Sequence, residues 1–377
     1  LFSHNIKIGD KYIGDDHPAF IVAEMSGNHN GSYDRAVELV HAAAEAGADA
    51  VKLQTYTADT ITIDCDKPWF RTSDSNMWAG RTLYDLYKEA YTPWEWQPRL
   101  KEEAEKLGLI CFSSPFDPTS VDFLEEMDVP AYKIASYEIN DIPLIRKVAS
   151  LHKPVIFATG IAYPEDIQRA LVTCLDAGND RAILLKCVSA YPTPYDQVNL
   201  RVMKTLASEH NCIVGLSDHT PGSVVPVGSI VMGGKMIEKH LTLDRNAGGV
   251  DDAFSMEPEE FASMVRDVRI MEQALGSDVY ALTDKQKEEH KGSRSLFAVT
   301  DIKAGEIITT DNVRSIRPGI GMHTMHYDEI LGRPAAQDIE KGTPISPKLI
   351  DGVKWDELLY GGQAITKQNG VSEPQGN

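Results

Sequence analysis

His219 and His240 stand in matching surroundings. Two apolar runs, 213–216 (IVGL) and 236–237 (MI), each break into polar residues, Ser217-Asp218-His219 after the first and Glu238-Lys239-His240 after the second. The segment between them carries Gly222, Gly228, Gly233 and Gly234 and is long enough for a crossover helix. A strand, a helix and a strand is the unit of a parallel sheet, and ligands of such sheets bind beyond the carboxyl ends of the strands. The two histidines would then lie side by side. Converging imidazoles can hold a divalent metal with positions left open for water and substrate. They could equally hydrogen-bond within their own loops.

Other apolar runs end the same way. Their terminal residues are Glu24, Lys52 with Gln54, Ser113-Ser114, Lys133 with Ser136 and Glu138, Thr159, and Lys186 with Ser189. If the strands close on themselves, these residues share one mouth. Several lysines at one rim would be costly unless something anionic meets them. The serines among them supply donors for phosphate or carboxylate oxygens. The residues alone point to a metal-assisted enzyme for a small phosphorylated or carboxylated substrate. They leave open a Schiff-base aldolase using Lys133 or Lys186.

The elements that would position these groups can be read from periodicity. Strand-like runs fall at 20–23, 50–53, 109–112, 131–134, 155–158, 183–185, 213–216 and 236–237. Helical spacing fills most of the gaps, as at 33–46 before Gly47 and 94–107 before Gly108, where each glycine suits a helix C-cap. Eight strands alternating with helices predict an α/β fold of the (β/α)8 TIM-barrel type, closed by a helix over 258–275. An open doubly wound sheet is the alternative, but no GxGxxG follows the first strand. Residues 1–18 would form a hairpin closing the barrel bottom. The stretch 56–92 separates the second strand from its helix and contains Trp69, Phe70, Trp78, Tyr84 and Tyr87, with a helix expected over 83–90. An insertion that long on the active face reads as a lid or specificity loop, or as a satellite core.

After residue 275 the composition changes. The expected division is a barrel domain over 1–277, a charged linker over 278–292, a small β-rich domain over 293–352, and a polar, disordered tail over 353–377.

The chain has 377 residues and a formal net charge of −19, from 37 basic and 56 acidic side chains. That balance argues against nucleic-acid or anionic-membrane partners. The five cysteines follow no CxxC spacing and fit reduced thiols. No run is long enough for a membrane span, and the opening LFSHNIKIGD lacks a signal peptide's apolar core, so a cytoplasmic location is expected.

The motifs AEMSGNHNGS (23–32), VKLQTY (51–56), CFSSPF (111–116), AYKIAS (131–136), YPTPY (191–195), GLSDHT (215–220) and IEKH (237–240) together resemble the sialic acid synthase family. SIRPGIG (315–321) is similar to the antifreeze-like (SAF) domain that family carries. Within the family, CFSSPF, AYKIAS, the tryptophan-rich insertion and DDAFSMEP look most like the pseudaminic acid synthase branch. The resemblance implies condensation of phosphoenolpyruvate with an N-acylated amino-sugar aldehyde, using manganese or, as alternatives, cobalt or magnesium. It places the metal on His219 and His240, and phosphoenolpyruvate on Lys52, Ser114, Lys133, Ser136 and Ser217. Glu24, Asp251 and Asp218 fall where the family contacts the sugar. Arg317 falls where it reaches an N-acyl group from the partner subunit of a domain-swapped homodimer. Ala158 and Ser189 stand where sialic acid synthases have Ser and Asn near the phosphate. Glu138, beside Lys133, is the candidate proton-transfer group, or else a partner for that lysine. Sialic and legionaminic acid synthases are the nearest alternatives. A non-enzymatic carbohydrate- or ice-binding protein is a third, though it would have little use for two histidines and several lysines around one mouth.

Overall fold

Strands buried on both faces need near-continuous apolar runs, and eight such runs here close into one parallel barrel. The computed structural model describes residues 1–73 and 78–352. A hairpin of β1 (Asn5–Ile8) and β2 (Lys11–Gly14) leads the chain. The barrel strands follow as β3 (Phe20–Glu24), β4 (Ala50–Thr55), β5 (Ile110–Pro115), β6 (Tyr132–Ile134), β7 (Val155–Ala158), β8 (Ala182–Lys186), β9 (Ile213–Asp218) and β10 (Met236–His240). They pair in sequence order, and β10 returns to β3.

Two layers of core follow from the strand period of two. One set of side chains, including Ile21, Ala23, Val51, Leu53, Cys111 and Ile237, packs with helix residues such as Ala36, Leu39, Val40 and Phe261. The alternate set, including Phe20, Val22, Ile110, Phe112, Ile183 and Met236, forms a separate apolar cluster with Ile6, Ile8 and Ile13 of the hairpin. The hairpin therefore plugs one end of the lumen. Continuing the same alternation along each strand replaces apolar residues with Glu24, Lys52, Ser114, Ser217 and Glu238, so the other end of the lumen is polar. Gly215 permits the closure: a Cβ there would stand 2.4 Å from Met236 O and 2.7 Å from Leu185 Cδ2.

Several strands extend past the apolar runs. β10 continues through Glu238, Lys239 and His240, because the neighbouring strand carries the ladder on, with Lys239 opposite Ala23 and His240 opposite Glu24. Hydrophobicity underestimates a strand wherever its lumen face is polar. The first barrel helix, Tyr33–Glu45, starts at Ser32, whose side chain accepts from Arg35 N, and gives way at Gly47 with φ +81°. Helix Pro258–Leu275 buries Phe261, Met264, Val265 and Val268. The 56–92 insertion contains helices Ala58–Ile61 and Leu83–Ala90.

A second compact unit begins at Ser277. Its helix Asp284–His290 lies within the stretch expected to be linker, and Thr283 caps it. β11 (Ser295–Ala298) and β12 (Val313–Ile316) pair antiparallel over a core that includes Leu296, Ile302, Ile308, Met322 and Ile345. The tail expected over 353–377 lies outside the described residues. No helix among the described residues is long and apolar enough to cross a membrane.

Candidate functional site

Strand alternation decides which residues share the mouth. The register of β9 with β10 sets Ser217 beside Glu238 and Asp218 beside Lys239. Neighbouring side chains point to opposite faces of the sheet. The first pair faces the lumen, where Ser217 Oγ donates to Glu238 Oε1 at 3.1 Å. In the second, Lys239 Nζ lies 2.5 Å from Asp218 Oδ2, and Thr220 Oγ1 donates to the same oxygen at 2.9 Å. Asp218, expected beside the sugar, is thus turned to the outer face and committed to Lys239.

Four buried charges line the floor of the mouth. Lys52 Nζ is 2.5 Å from Glu24 Oε2 and 3.2 Å from Glu238 Oε1, and Lys133 Nζ is 3.3 Å from that same Oε1. Lys52 also donates to Ser114 Oγ at 3.4 Å. None of the four is more than 4% exposed. A contact of this length contributes about 5 kcal/mol at an effective dielectric near 20. Removing each ion from water costs several kcal/mol, so the group adds little net stability. Its use is to hold two ammonium groups in fixed positions. Burial alone would lower the Lys52 pKa, but the carboxylates of Glu238 and Glu24 outweigh it and hold the lysine above its ordinary range. Lys133 is lowered by burial, with Glu238 opposing. Burial also raises Glu24, against the pull of Lys52. In the sequence Glu238 is one of a charged triplet with Lys239 and His240. The available signal was spacing, since two residues before His240 on a strand means the same face.

The histidines meet above this floor, with ring centroids 5.2 Å apart. His219 Nδ1 lies 2.9 Å from Val188 O, and a carbonyl can only accept. Nδ1 therefore carries a proton, and Nε2 is the nitrogen left to ligate once its own proton is off. Burial alone would lower the His219 pKa, but Cys187 and the Val188 carbonyl outweigh it and hold the ring above the ordinary histidine value. His240 Nδ1 is buried with no hydrogen-bond partner, 4.0 Å from Asp251 Oδ2. Burial, helped by neighbouring His219, holds His240 well below the ordinary histidine range, so it is neutral. Among the described residues no group of three or more His, Cys, Asp or Glu forms a ready cage. Two converging imidazoles, one already neutral and one that must give up a proton, fit a divalent ion that completes its shell with water and substrate oxygens.

Around this pair the remaining groups fall into two sides. On one, Ser136 Oγ accepts from Gly160 N at 3.1 Å. A Cβ at Gly160 would lie 2.2 Å from Ser189 Oγ, 2.7 Å from Ser136 Oγ and 3.1 Å from Cys187 Sγ, so a bare backbone lets these side chains converge. Ala158 is buried nearby on β7. Glu138 ends the turn Ser136–Glu138, and its Oε2 is buried without a partner. Burial, opposed by Lys133, pushes its pKa up to about 7. The ion partner of Lys133 is Glu238 rather than Glu138. On the other side, Ser26 Oγ hydrogen-bonds Asp251 Oδ2, and Gln54 Nε2 donates to Glu24 Oε1 at 3.4 Å and to Ser26 Oγ at 3.3 Å. Gln54 was expected at the mouth beside Lys52; Ser26 was not, because a small polar residue just after a strand is common. Arg317 is exposed in the second unit, on a loop held by Ser295, whose Oγ donates to Pro318 O at 2.6 Å and accepts from Gly321 N at 2.8 Å.

The model of the NeuB family matches residues 39–280, and that of the SAF domain matches 293–351. The chain is 43% identical over 327 residues to the pseudaminic acid synthase of Campylobacter jejuni (serotype O:23/36, strain 81-176), which covers 87% of this chain and 95% of that relative. It is 36% identical over 342 residues to the N,N'-diacetyllegionaminic acid synthase of Legionella pneumophila, covering 89% and 96%. The crystal structure of N-acetylneuraminic acid synthetase from Leptospira borgpetersenii, in complex with citrate, superposes with a TM-score of 0.67 at 31% identity, over 76% of this chain and 95% of that one.

Proposed function

The chain belongs to the NeuB family, and on that footing we propose that it acts as a pseudaminic acid synthase. The reaction is condensation of phosphoenolpyruvate with 2,4-diacetamido-2,4,6-trideoxy-L-altrose and water, with release of phosphate. The observation that carries the reading is the convergence of two imidazoles above a floor of two fixed lysines. A trianionic substrate and an aldehyde can be held together there.

His219 and His240 would hold the divalent ion, manganese first, with cobalt or magnesium as alternatives. That ion supplies a Lewis acid for the aldehyde oxygen. Lys52 and Lys133, with Ser114, Ser136, Ser189 and Ser217, orient and screen the carboxylate and phosphate of phosphoenolpyruvate. Glu24 and Asp251 accept from sugar hydroxyls, and Ser26 and Gln54 steer those carboxylates. Glu138 is protonated up to about pH 7 and can move a proton as the former enol carbon takes up water and phosphate departs. Arg317 would reach an N-acyl oxygen from a second copy in a domain-swapped homodimer, where its planar donors fix a direction that lysine cannot. Five free cysteines fit a reducing, cytoplasmic setting.

The test is phosphate release from phosphoenolpyruvate with each candidate sugar. Turnover should require both sugar and metal, stop in excess chelator and return with manganese, and favour the trideoxy hexose over N-acetylmannosamine. Comparable efficiency with N-acetylmannosamine would move the assignment to the sialic acid branch, and full activity in chelator would remove the metal from it.

A further inference from the structure

The aromatic residues of the 56–92 insertion are not equivalent. Trp69 is 69% exposed, with Lys67 Nζ over its ring. Tyr84 OH donates to Asp59 at 3.1 Å, and Tyr87 packs edge-on against Tyr56. Trp78 instead reaches the mouth. Its Nε1 donates to Val250 O at 3.0 Å, fastening the insertion to the loop after β10, one residue from Asp251. Its ring lies 5.7 Å from that of Tyr191. Tyr191 in turn lies 4.4 Å from the His219 ring and 5.1 Å from Phe254, which is 5.0 Å from His240. One continuous aromatic surface therefore runs from the histidine pair out to the insertion.

We propose that Trp78, with Tyr191, forms the apolar wall that receives the carbon-6 end of the sugar, and that Trp78 thereby sets the preference for a 6-deoxy substrate. The inference rests on the reading of the site given above. With the aldehyde at the histidines, carbon 6 is five bonds away, roughly 6 Å in an extended chain. The ring spacings of 4.4 and 5.7 Å bring that end level with the Tyr191–Trp78 pair. Hydroxyls can be matched by Glu24, Ser26, Gln54 and Asp251, the last of these beside the Val250 that holds Trp78, whereas the ring faces of Trp78 and Tyr191 are apolar. A methyl group packs on an indole face. A hydroxymethyl group there would give up hydrogen bonds to water without replacing them. One such group in an apolar pocket typically changes efficiency by about 10–200-fold.

The experiment compares kcat/KM for the trideoxy sugar and for its 6-hydroxy counterpart in wild type, Trp78→Ala, Trp78→Phe and Trp78→Gln. Circular dichroism melting accompanies each variant. The glutamine amide can still donate to Val250 O but offers no aromatic face, so it separates the wall from the latch and serves if the alanine variant folds poorly. Expected is a wild-type preference for the 6-deoxy sugar that falls at least tenfold in Trp78→Ala and Trp78→Gln and is largely kept in Trp78→Phe. A preference unchanged in folded Trp78→Gln, with both efficiencies falling together, overturns the wall and leaves the reading of the site intact. A wild type that releases no phosphate with any amino-sugar overturns both.

Discussion

Glu138 offers the most direct measurement at the scale of a single residue. Its carboxyl is raised to about 7 by burial, against an ordinary value of 4.5. Between those two values the native state binds more protons than the unfolded chain, so stability falls as pH rises. The contribution is fully present below pH 4.5 and is lost as pH passes about 7. Its size is about 3 kcal/mol at most, from the pKa difference and ~1.4 kcal/mol per unit. Glu138→Gln should therefore gain stability relative to wild type at pH 8 and not at pH 4, as read by urea unfolding at both. If the group moves a proton in turnover, kcat of the same variant should fall by about 10²-fold or more, and the ionisation near pH 7 should leave the pH–rate profile. A variant with wild-type kcat and an unchanged profile would assign the proton to another group. Residue types also show what was legible beforehand. His219 and His240 announced themselves because histidines at neighbouring strand ends are unusual. Glu238 and Asp218 did not, because both sit in charged triplets and only the register shows that one faces the lumen and the other does not.

Elements position these groups, and the hairpin of β1 and β2 makes a test at that scale. Ile13 is fully buried and joins the apolar cluster inside the barrel. Ile13→Ala should cost about 2–5 kcal/mol, since closed strands cannot collapse around the void. Denaturant unfolding measures this, and a loss under 1 kcal/mol would mean that the hairpin is not part of the barrel core. The barrel itself was legible because each strand carries a short apolar run and each helix a 3.6-residue stripe, as at Leu39, Val40 and Ala43. Strand ends were less so, since Glu238 and Lys239 are poor strand formers that the β3 ladder holds in place. The insertion was least legible. Its length and aromatic content marked it, and its helix Leu83–Ala90 was foreseen, but nothing in the spacing distinguished Trp78 from Trp69.

For the whole molecule, the proposed role of Arg317 can be tested across two copies of the chain. The barrel mouth holds the imidazoles and lysines, while Arg317 belongs to the second unit. If the proposed domain-swapped homodimer forms and the arginine acts in trans, mixing an Arg317→Ala chain with a His240→Ala chain, each inactive alone, should restore part of the activity, because one barrel of a mixed dimer would have both intact parts. Demonstrated subunit exchange without recovery would rule that out. The balanced floor of the mouth has a further consequence, and it is kinetic. Lys52 and Lys133 are matched by Glu24 and Glu238, so the floor carries no net formal charge. Beyond the short reach of an ion held by His219 and His240, an approaching phosphoenolpyruvate anion meets a chain with an overall charge of −19. Added salt shortens the reach of that field to about 10 Å at 0.1 M. Capture of the substrate by this enzyme should therefore quicken as ionic strength rises, the reverse of electrostatic steering, and stopped-flow association rates that fall with salt would contradict it.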